Sequence, residues 1–171
     1  MTAARAIGIL AWLLLLVGAG AAGADEESAR ALRGMRRVSL EITFSPLHTG
    51  LSAEDLQERL EEVLRAAPPA PVIDPRSADR VRLTVAVRSV STSDLRGYYL
   101  PLSGYYGIGP VRLTVERLVT IAGVPAPVRA VVWQAEKQAR ARWRDSAAEV
   151  MDILEDLAEA LLDDYRRVAA P

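Results

Sequence analysis

The segment that most constrains the fold is residues 80–90, where apolar and polar side chains alternate along nearly the whole run. Such alternation is typical of a β-strand with one covered face and one open face. The covered parity carries Val81, Leu83, Val85 and Val87, and the open parity carries Arg82, Thr84 and Arg88. The segment therefore predicts a sheet that has helices on one face and is open on the other.

Similar patterns predict three more strands and two helices. The strands lie near residues 38–44, 110–121 and 128–135, and the helices near 52–67 and 146–168. We therefore expect an α+β fold, a two-layer sandwich of order β-α-β-β-β-α, with a four-stranded mixed sheet and two helices on one face. The first helix should make a right-handed crossover to a parallel strand, and the other strands should form an antiparallel meander.

Two details of these strands stay open at this level. Residues 72–73 could add a short extended piece before the long alternating run. The last strand has two candidate core parities, one with Val128, Ala130 and Val132 and the other with Val131, Trp133 and Ala135. A β-bulge would permit both parities in different halves of the strand.

The first 24 residues have the pattern of an export signal. Arg5 precedes an apolar stretch, and the small residues Ala22 and Ala24 precede a jump in charge at Asp25. We predict cleavage after Ala24, a periplasmic or secreted location, a polar leader over residues 25–36 and a single domain over 37–169. The alternative is a retained membrane anchor, because residues 6–24 carry no charge and approach the ~20 residues that span a bilayer.

The composition argues against several classes of site. The chain has no cysteine, which excludes disulfides and the acylated-cysteine route to a lipoprotein. His48 is the only histidine, so neither a His/Cys metal cluster nor a His-assisted nucleophile is evident. We expect a protein without metal, cofactor or enzymatic activity; a weak enzyme is the alternative. With 21 basic and 22 acidic residues, the chain has no overall charge that would attract nucleic acid.

Two groups of residues are candidates for binding a partner. The first is the open sheet face, which would meet anionic lipid headgroups or glycans. It would carry Arg82, Arg88 and Arg112, with Trp133 as a further candidate. The alternative is that these arginines are simply solvated on an exposed face, as surface charges commonly are.

The second candidate is a tyrosine-rich segment over residues 97–107. It contains four of the five tyrosines in the chain, Tyr98, Tyr99, Tyr105 and Tyr106, together with glycine and proline. Tyrosine offers a large amphipathic surface at low entropic cost, so the segment suits a loop that contacts an envelope protein. In the alternative, a tyrosine pair packs over the edge of the sheet.

Three short motifs carry a resemblance to known proteins. They are Gly50-Leu51-Ser52 with residues 60–66, Ala130-Val131-Val132-Trp133, and Leu162-Asp163-Asp164-Tyr165. Over residues 37–168 the chain resembles a family of small exported bacterial proteins of unknown function, although its tyrosine segment is longer than that family's usual turn. The element order is also similar to that of the lipoproteins that plug the lipopolysaccharide translocon, but the lipid-bearing cysteine is absent. With an export signal and no catalytic or cofactor motif, the sequence favours a non-enzymatic envelope protein that acts as a binding or assembly factor.

Overall fold

The computed structural model describes residues 26–45, 51–66, 68–91 and 105–169. Within them lie three α-helices, six strands and one 3-10 turn. The helices are α1 (Glu26–Ala31), α2 (Ala53–Ala66) and α3 (Ser146–Ala169); the strands are β1 (Arg37–Phe44), β2 (Val72–Ile73), β3 (Arg80–Val85), β4 (Arg88–Ser91), β5 (Tyr105–Val119) and β6 (Val128–Arg142); the 3-10 turn is Trp143–Asp145.

The strands form one mixed sheet with helices packed against it, which confirms the predicted α+β class. β1 pairs in parallel with β3, and the short β2 pairs in parallel with the other side of β1. β5 is antiparallel to β3 and β4 along one side and to β6 along the other. The predicted parallel partner of the first strand and the antiparallel order of the rest are therefore confirmed.

The predicted sheet of four strands is wrong in one respect, because the segment 80–90 is not a single strand. It is divided at Ala86 and Val87 into β3 and β4, which both pair with the long β5. Pro110 of β5 stands opposite the break. Its carbonyl accepts a hydrogen bond from the Ala86 N–H at 3.0 Å, but proline has no N–H to donate in return. The break thus lies where proline removes a donor from the ladder.

A β-bulge settles the facing of β6. Val115 pairs with Trp133 and Glu116 pairs with Val131, which leaves Val132 as the extra residue. Trp133 and Val131 would share a face in a regular strand, yet Trp133 is 2% exposed and Val131 is 52% exposed. Both candidate parities are therefore used, one on each side of the bulge, as the bulge hypothesis predicted.

The core lies between the sheet and the helices. The covered face of the sheet contributes buried Val81, Leu83, Leu113 and Val115, and α3 contributes a buried apolar stripe that includes Leu154, Leu157 and Leu161. α2 packs on β1 and α3, and α3 packs on β5 and β6. The predicted packing of the last helix on the sheet is confirmed.

The segment predicted to be a polar leader is part of this folded unit. Ala29 in α1 and Leu32 and Met35 after it are almost completely buried. The Tyr165 hydroxyl of α3 donates to the Met35 carbonyl at 2.7 Å, and Arg117 of β5 donates to the Ala31 carbonyl at 2.8 Å. The boundary at residue 37 is therefore wrong, because three scattered apolar residues in a polar segment were enough to join the core.

Candidate functional site

The centre of the open sheet face is an ion-pair network rather than a free basic surface. Register places Glu41, Arg82 and Thr114 side by side on β1, β3 and β5. Arg82 Nη2 lies 3.2 Å from Glu41 Oε1, and Arg82 Nη1 lies 2.7 Å from Glu116 Oε1. Arg80 also pairs with Glu41. The charge of Arg82 is therefore compensated by carboxylates of the same face.

The electrostatics of this network follow from its packing. Burial by itself would raise the pKa of Glu41, but the hydrogen bonds and positive charges of Arg82 and Arg80 outweigh burial and lower it. Glu116 is only 5% exposed, although it lies on the face without helices. Arg82 Nε and Glu116 Oε2 are buried and have no hydrogen-bond partner among the described residues.

Arg112 has an internal partner as well. It stands opposite Glu136 in the pairing of β5 with β6, and its Nη2 lies 2.5 Å from Glu136 Oε2. Two of the three arginines predicted to meet an anionic ligand, Arg82 and Arg112, thus have carboxylates beside them. Alternation in single strands identified their face but gave no information on what the neighbouring strands place there.

Arg88, the third of these arginines, belongs to a different group, which we call the basic end: Arg88, Arg140 and Arg142. Arg88 pairs with Ile108 and Ile108 pairs with Arg140, so the two arginines stand in one row across β4, β5 and β6. Residues directly opposite in antiparallel strands point to the same face, and Arg142 lies two positions further along β6. The buried Ala139 faces the helices, which places Arg140 and Arg142 on the open face.

The basic end differs from the centre of the face in its partners. Arg88, Arg140 and Arg142 are all exposed, and no carboxylate of the described residues forms an ion pair with them. Arginines at alternate positions near the end of β6 were a signal for Arg140 and Arg142 in the sequence. They were missed as site residues because their row with Arg88 exists only through the register of three strands.

Trp133 is not on the open face, so its proposed place in an exposed site is wrong. The bulge turns it to the helix side, where its indole N–H donates to Asp164 Oδ2 of α3 at 2.9 Å. Asp164 is 3% exposed, and its Oδ1 also lies 3.1 Å from Arg167 Nη2. Trp133 of the Ala130–Trp133 motif and Asp164 of the Leu162–Tyr165 motif therefore meet in a buried contact that holds α3 on β6.

The tyrosine segment is only partly described. Tyr98 and Tyr99 lie outside the described residues. Tyr105 and Tyr106 are not in a loop, because their backbones form the start of β5, where Tyr106 pairs with Val90 of β4 and with Arg142 of β6. The prediction that residues 97–107 form one contact loop is therefore wrong for its last three residues.

Acidic residues concentrate on the helix layer. α2 and α3 together carry twelve carboxylates and four arginines, whereas β1 and β3–β6 carry ten basic residues and three carboxylates. Some of these carboxylates have partners, such as Glu155 with Arg59 at 2.8 Å and Asp156 with Lys137 at 2.6 Å. The nearly neutral chain therefore divides into a negative layer and a positive layer.

The described residues present neither a metal site nor a membrane-spanning helix. These residues contain no group of three or more His, Asp or Glu side chains that is arranged to hold a metal ion. His48 lies outside them. Within the same ranges, none of the helices combines the length and the apolar character needed to cross a bilayer. The apolar N-terminal residues fall outside the described part, so the predictions of cleavage and of anchoring both stay predictions.

Comparison with known proteins gives distant similarity only. No family model matches the chain, and no curated protein matches it. Among solved structures, the PelC dodecamer from Paraburkholderia phytofirmans has 13% identity and a TM-score of 0.43, with 82% of this chain and 93% of that chain covered. Rare lipoprotein B from Shewanella oneidensis has 17% identity and a TM-score of 0.35, with 77% and 95% covered. At these values neither likeness transfers a function.

Proposed function

We propose that this chain is an exported, non-enzymatic envelope protein that binds anionic groups of an envelope component at its basic end. The single observation that carries the proposal is the row of Arg88 and Arg140, with Arg142 beside it, exposed and without carboxylate partners among the described residues. The ligand chemistry is phosphate or carboxylate, which a lipid headgroup or an acidic glycan would supply.

The chemistry of arginine supports this reading. A guanidinium presents planar donors that match the oxygens of phosphate and carboxylate groups in bidentate geometry. Three such groups held on β4 and β6, the strands on either side of β5, are preorganised by the sheet, so little backbone order has to be acquired on binding. Arg82 and Arg112 would contribute less to ligand binding, because they already form ion pairs with Glu41, Glu116 and Glu136. Export rests on the N-terminal sequence pattern described above.

The test is binding to vesicles and to a glycan, with matched variants. We expect the chain without residues 1–24 to co-sediment with phosphatidylglycerol vesicles, or to bind polygalacturonate, at about 50 mM NaCl and to be released near 0.5 M NaCl as ionic screening increases. Phosphatidylcholine vesicles should not retain it. The two anionic probes distinguish a lipid source from a glycan source.

The variant Arg88→Gln/Arg140→Gln should weaken this binding about tenfold or more, since each lost charged contact contributes on the order of 1 kcal/mol. Its matched control is Arg36→Gln/Arg76→Gln, which removes the same charge from exposed positions outside the basic end. Equal loss in both double variants would attribute the binding to net charge alone. If the wild-type chain binds neither probe at low salt, the proposal is wrong.

A further inference from the structure

The helix layer carries a set of carboxylates that mirrors the basic end, and we call it the acidic stripe: Glu58, Asp152 and Glu159. All three are exposed, and none forms an ion pair with a described residue. Asp152 and Glu159 are seven residues apart in α3 and therefore lie on one side of that helix, and Glu58 lies at an exposed position of α2, the helix that packs against α3. Of the three, Glu159 also lines a groove between the two helices, together with Glu62, Glu155, Asp163, Arg59 and Arg166.

The acidic stripe and the basic end cannot meet within one molecule. The helices cover one face of the sheet, and the basic end lies on the other face, so the body of the sheet separates the two sets. Layers that pack face to face are about 10 Å apart, and the outer surfaces are farther apart still. Each set therefore faces outward without an ion-pair partner among the described residues, and is available to a second molecule.

We propose that copies of this chain associate head to tail, with the basic end of one copy on the acidic stripe of the next. Charge complementarity between the two surfaces selects a second copy as the occupant, because the same chain presents both signs in sets of three. A two-fold dimer through either surface alone would place like charges opposite each other, which opposes association.

The symmetry of such a contact has a structural consequence. A head-to-tail interface is heterologous, so every open assembly keeps one free basic end at one terminus and one free acidic stripe at the other until a ring closes. Association therefore continues beyond a dimer. A closed ring or an open filament results, depending on the rotation between neighbouring copies.

The first test measures how the size of the associated species depends on salt and on protein concentration. Sedimentation velocity of the chain without residues 1–24 should show species larger than a dimer at about 20 mM NaCl and monomer at about 0.5 M NaCl, since the Debye length falls to a few ångströms at high salt. A chain that is monomeric at low salt up to millimolar concentration would overturn the proposal. Association that persists unchanged at high salt would overturn it as well.

Charge reversal then tests the pairing itself. Arg88→Glu/Arg140→Glu/Arg142→Glu and Glu58→Lys/Asp152→Lys/Glu159→Lys should each be monomeric at low salt. A variant with all six substitutions has the net charge of the wild-type chain and two surfaces that are again complementary, so it should regain association. A monomeric six-fold variant with a wild-type melting curve would overturn the proposal, as would a triple variant that still associates.

A control for net charge is Arg33→Glu/Arg36→Glu/Arg76→Glu, which changes the total by the same amount at exposed positions and should leave association intact. Self-association is a property separate from ligand binding and has its own readout. The variant Glu58→Gln/Asp152→Asn/Glu159→Gln keeps the basic end and adds no lysine, so its binding to anionic vesicles is measured without competition from self-association. A wild-type chain that associates but binds neither anionic probe contradicts the ligand proposal alone, and one that binds a probe but stays monomeric at low salt contradicts self-association alone.

Discussion

At the scale of single residues, the contact between Trp133 and Asp164 shows how a buried polar pair defines the packing of an element. The indole N–H of Trp133 is 2.9 Å from Asp164 Oδ2, and both side chains are nearly inaccessible to solvent. Buried polar groups are almost always hydrogen-bonded, because an unpaired one keeps the cost of leaving water without compensation. This pair therefore favours one position of α3 on β6 over neighbouring ones.

Trp133→Phe should lower the free energy of unfolding by about 1–3 kcal/mol, because it keeps most of the apolar ring but leaves the Asp164 carboxylate with one partner fewer. Urea denaturation followed by circular dichroism measures the change. Trp143→Phe is the control, since Trp143 is only half-buried and its indole makes no hydrogen bond within the described residues. Equal stability of the two variants would contradict a structural role for the indole donor.

At the scale of elements, helix α2 starts where its sequence indicates. The Ser52 N–H donates to Asp55 Oδ2 at 2.8 Å, and the Asp55 N–H donates to Ser52 Oγ at 3.1 Å. This reciprocal pair satisfies two amides that the first turn of a helix leaves without intrahelical partners. The hydrogen bonds from the Ser52 hydroxyl and N–H lower the pKa of Asp55 below its usual value of 3.8.

Ser52→Ala should lower the free energy of unfolding by about 1 kcal/mol, the usual cost of losing a helix N-cap. Because the pKa of Asp55 is lowered on folding, its contribution to stability is present above pH 3.8 and is lost as the pH falls from there through the folded-state pKa. In thermal melts between about pH 2.5 and 7, the melting temperature should therefore fall less on acidification in Ser52→Ala than in the wild-type chain. Thr120→Ala, an exposed change in the turn between β5 and β6, should match wild type; a steeper acid loss in Ser52→Ala would refute the capping role.

At the scale of the whole molecule, two features arise only when all elements are assembled. One is the separation of charge between a negative helix layer and a positive sheet, on which the proposals for ligand binding and self-association depend. The other is the inclusion of residues 29–35 in the core, where Leu32 is fully buried and Arg117 binds the Ala31 and Arg33 carbonyls. The folded unit therefore includes the segment directly after the predicted export signal.

Leu32→Ala should lower the free energy of unfolding by about 2–5 kcal/mol, since it removes buried methyl groups and leaves a cavity. Differential scanning calorimetry of the chain without residues 1–24 gives the change in melting temperature. Arg36→Ala, at an exposed position of the same segment, should have little effect. A wild-type melting temperature for Leu32→Ala would restore the view of this segment as a leader outside the domain.

The sequence by itself determined the class of the fold and the order of its elements. Alternation at β1, β3 and β5, the helical stripe of α3 and the capping residues of α2 are local patterns, because each follows from the geometry of one segment. The fold class, the parallel pairing of β1 with β3, the antiparallel remainder and the start of α2 were therefore predictable.

Only the tertiary structure decided which residues share a surface. The bulge at Val132 that turns Trp133 inward, the carboxylates that compensate Arg82 and Arg112, and the row formed by Arg88 and Arg140 all depend on register between strands. Register is a relation between segments distant in the chain, and a shift of one residue would move every side chain of a strand to the other face. A single strand shows which residues share its face, whereas their charge partners come from strands whose alignment is established by packing of the complete core.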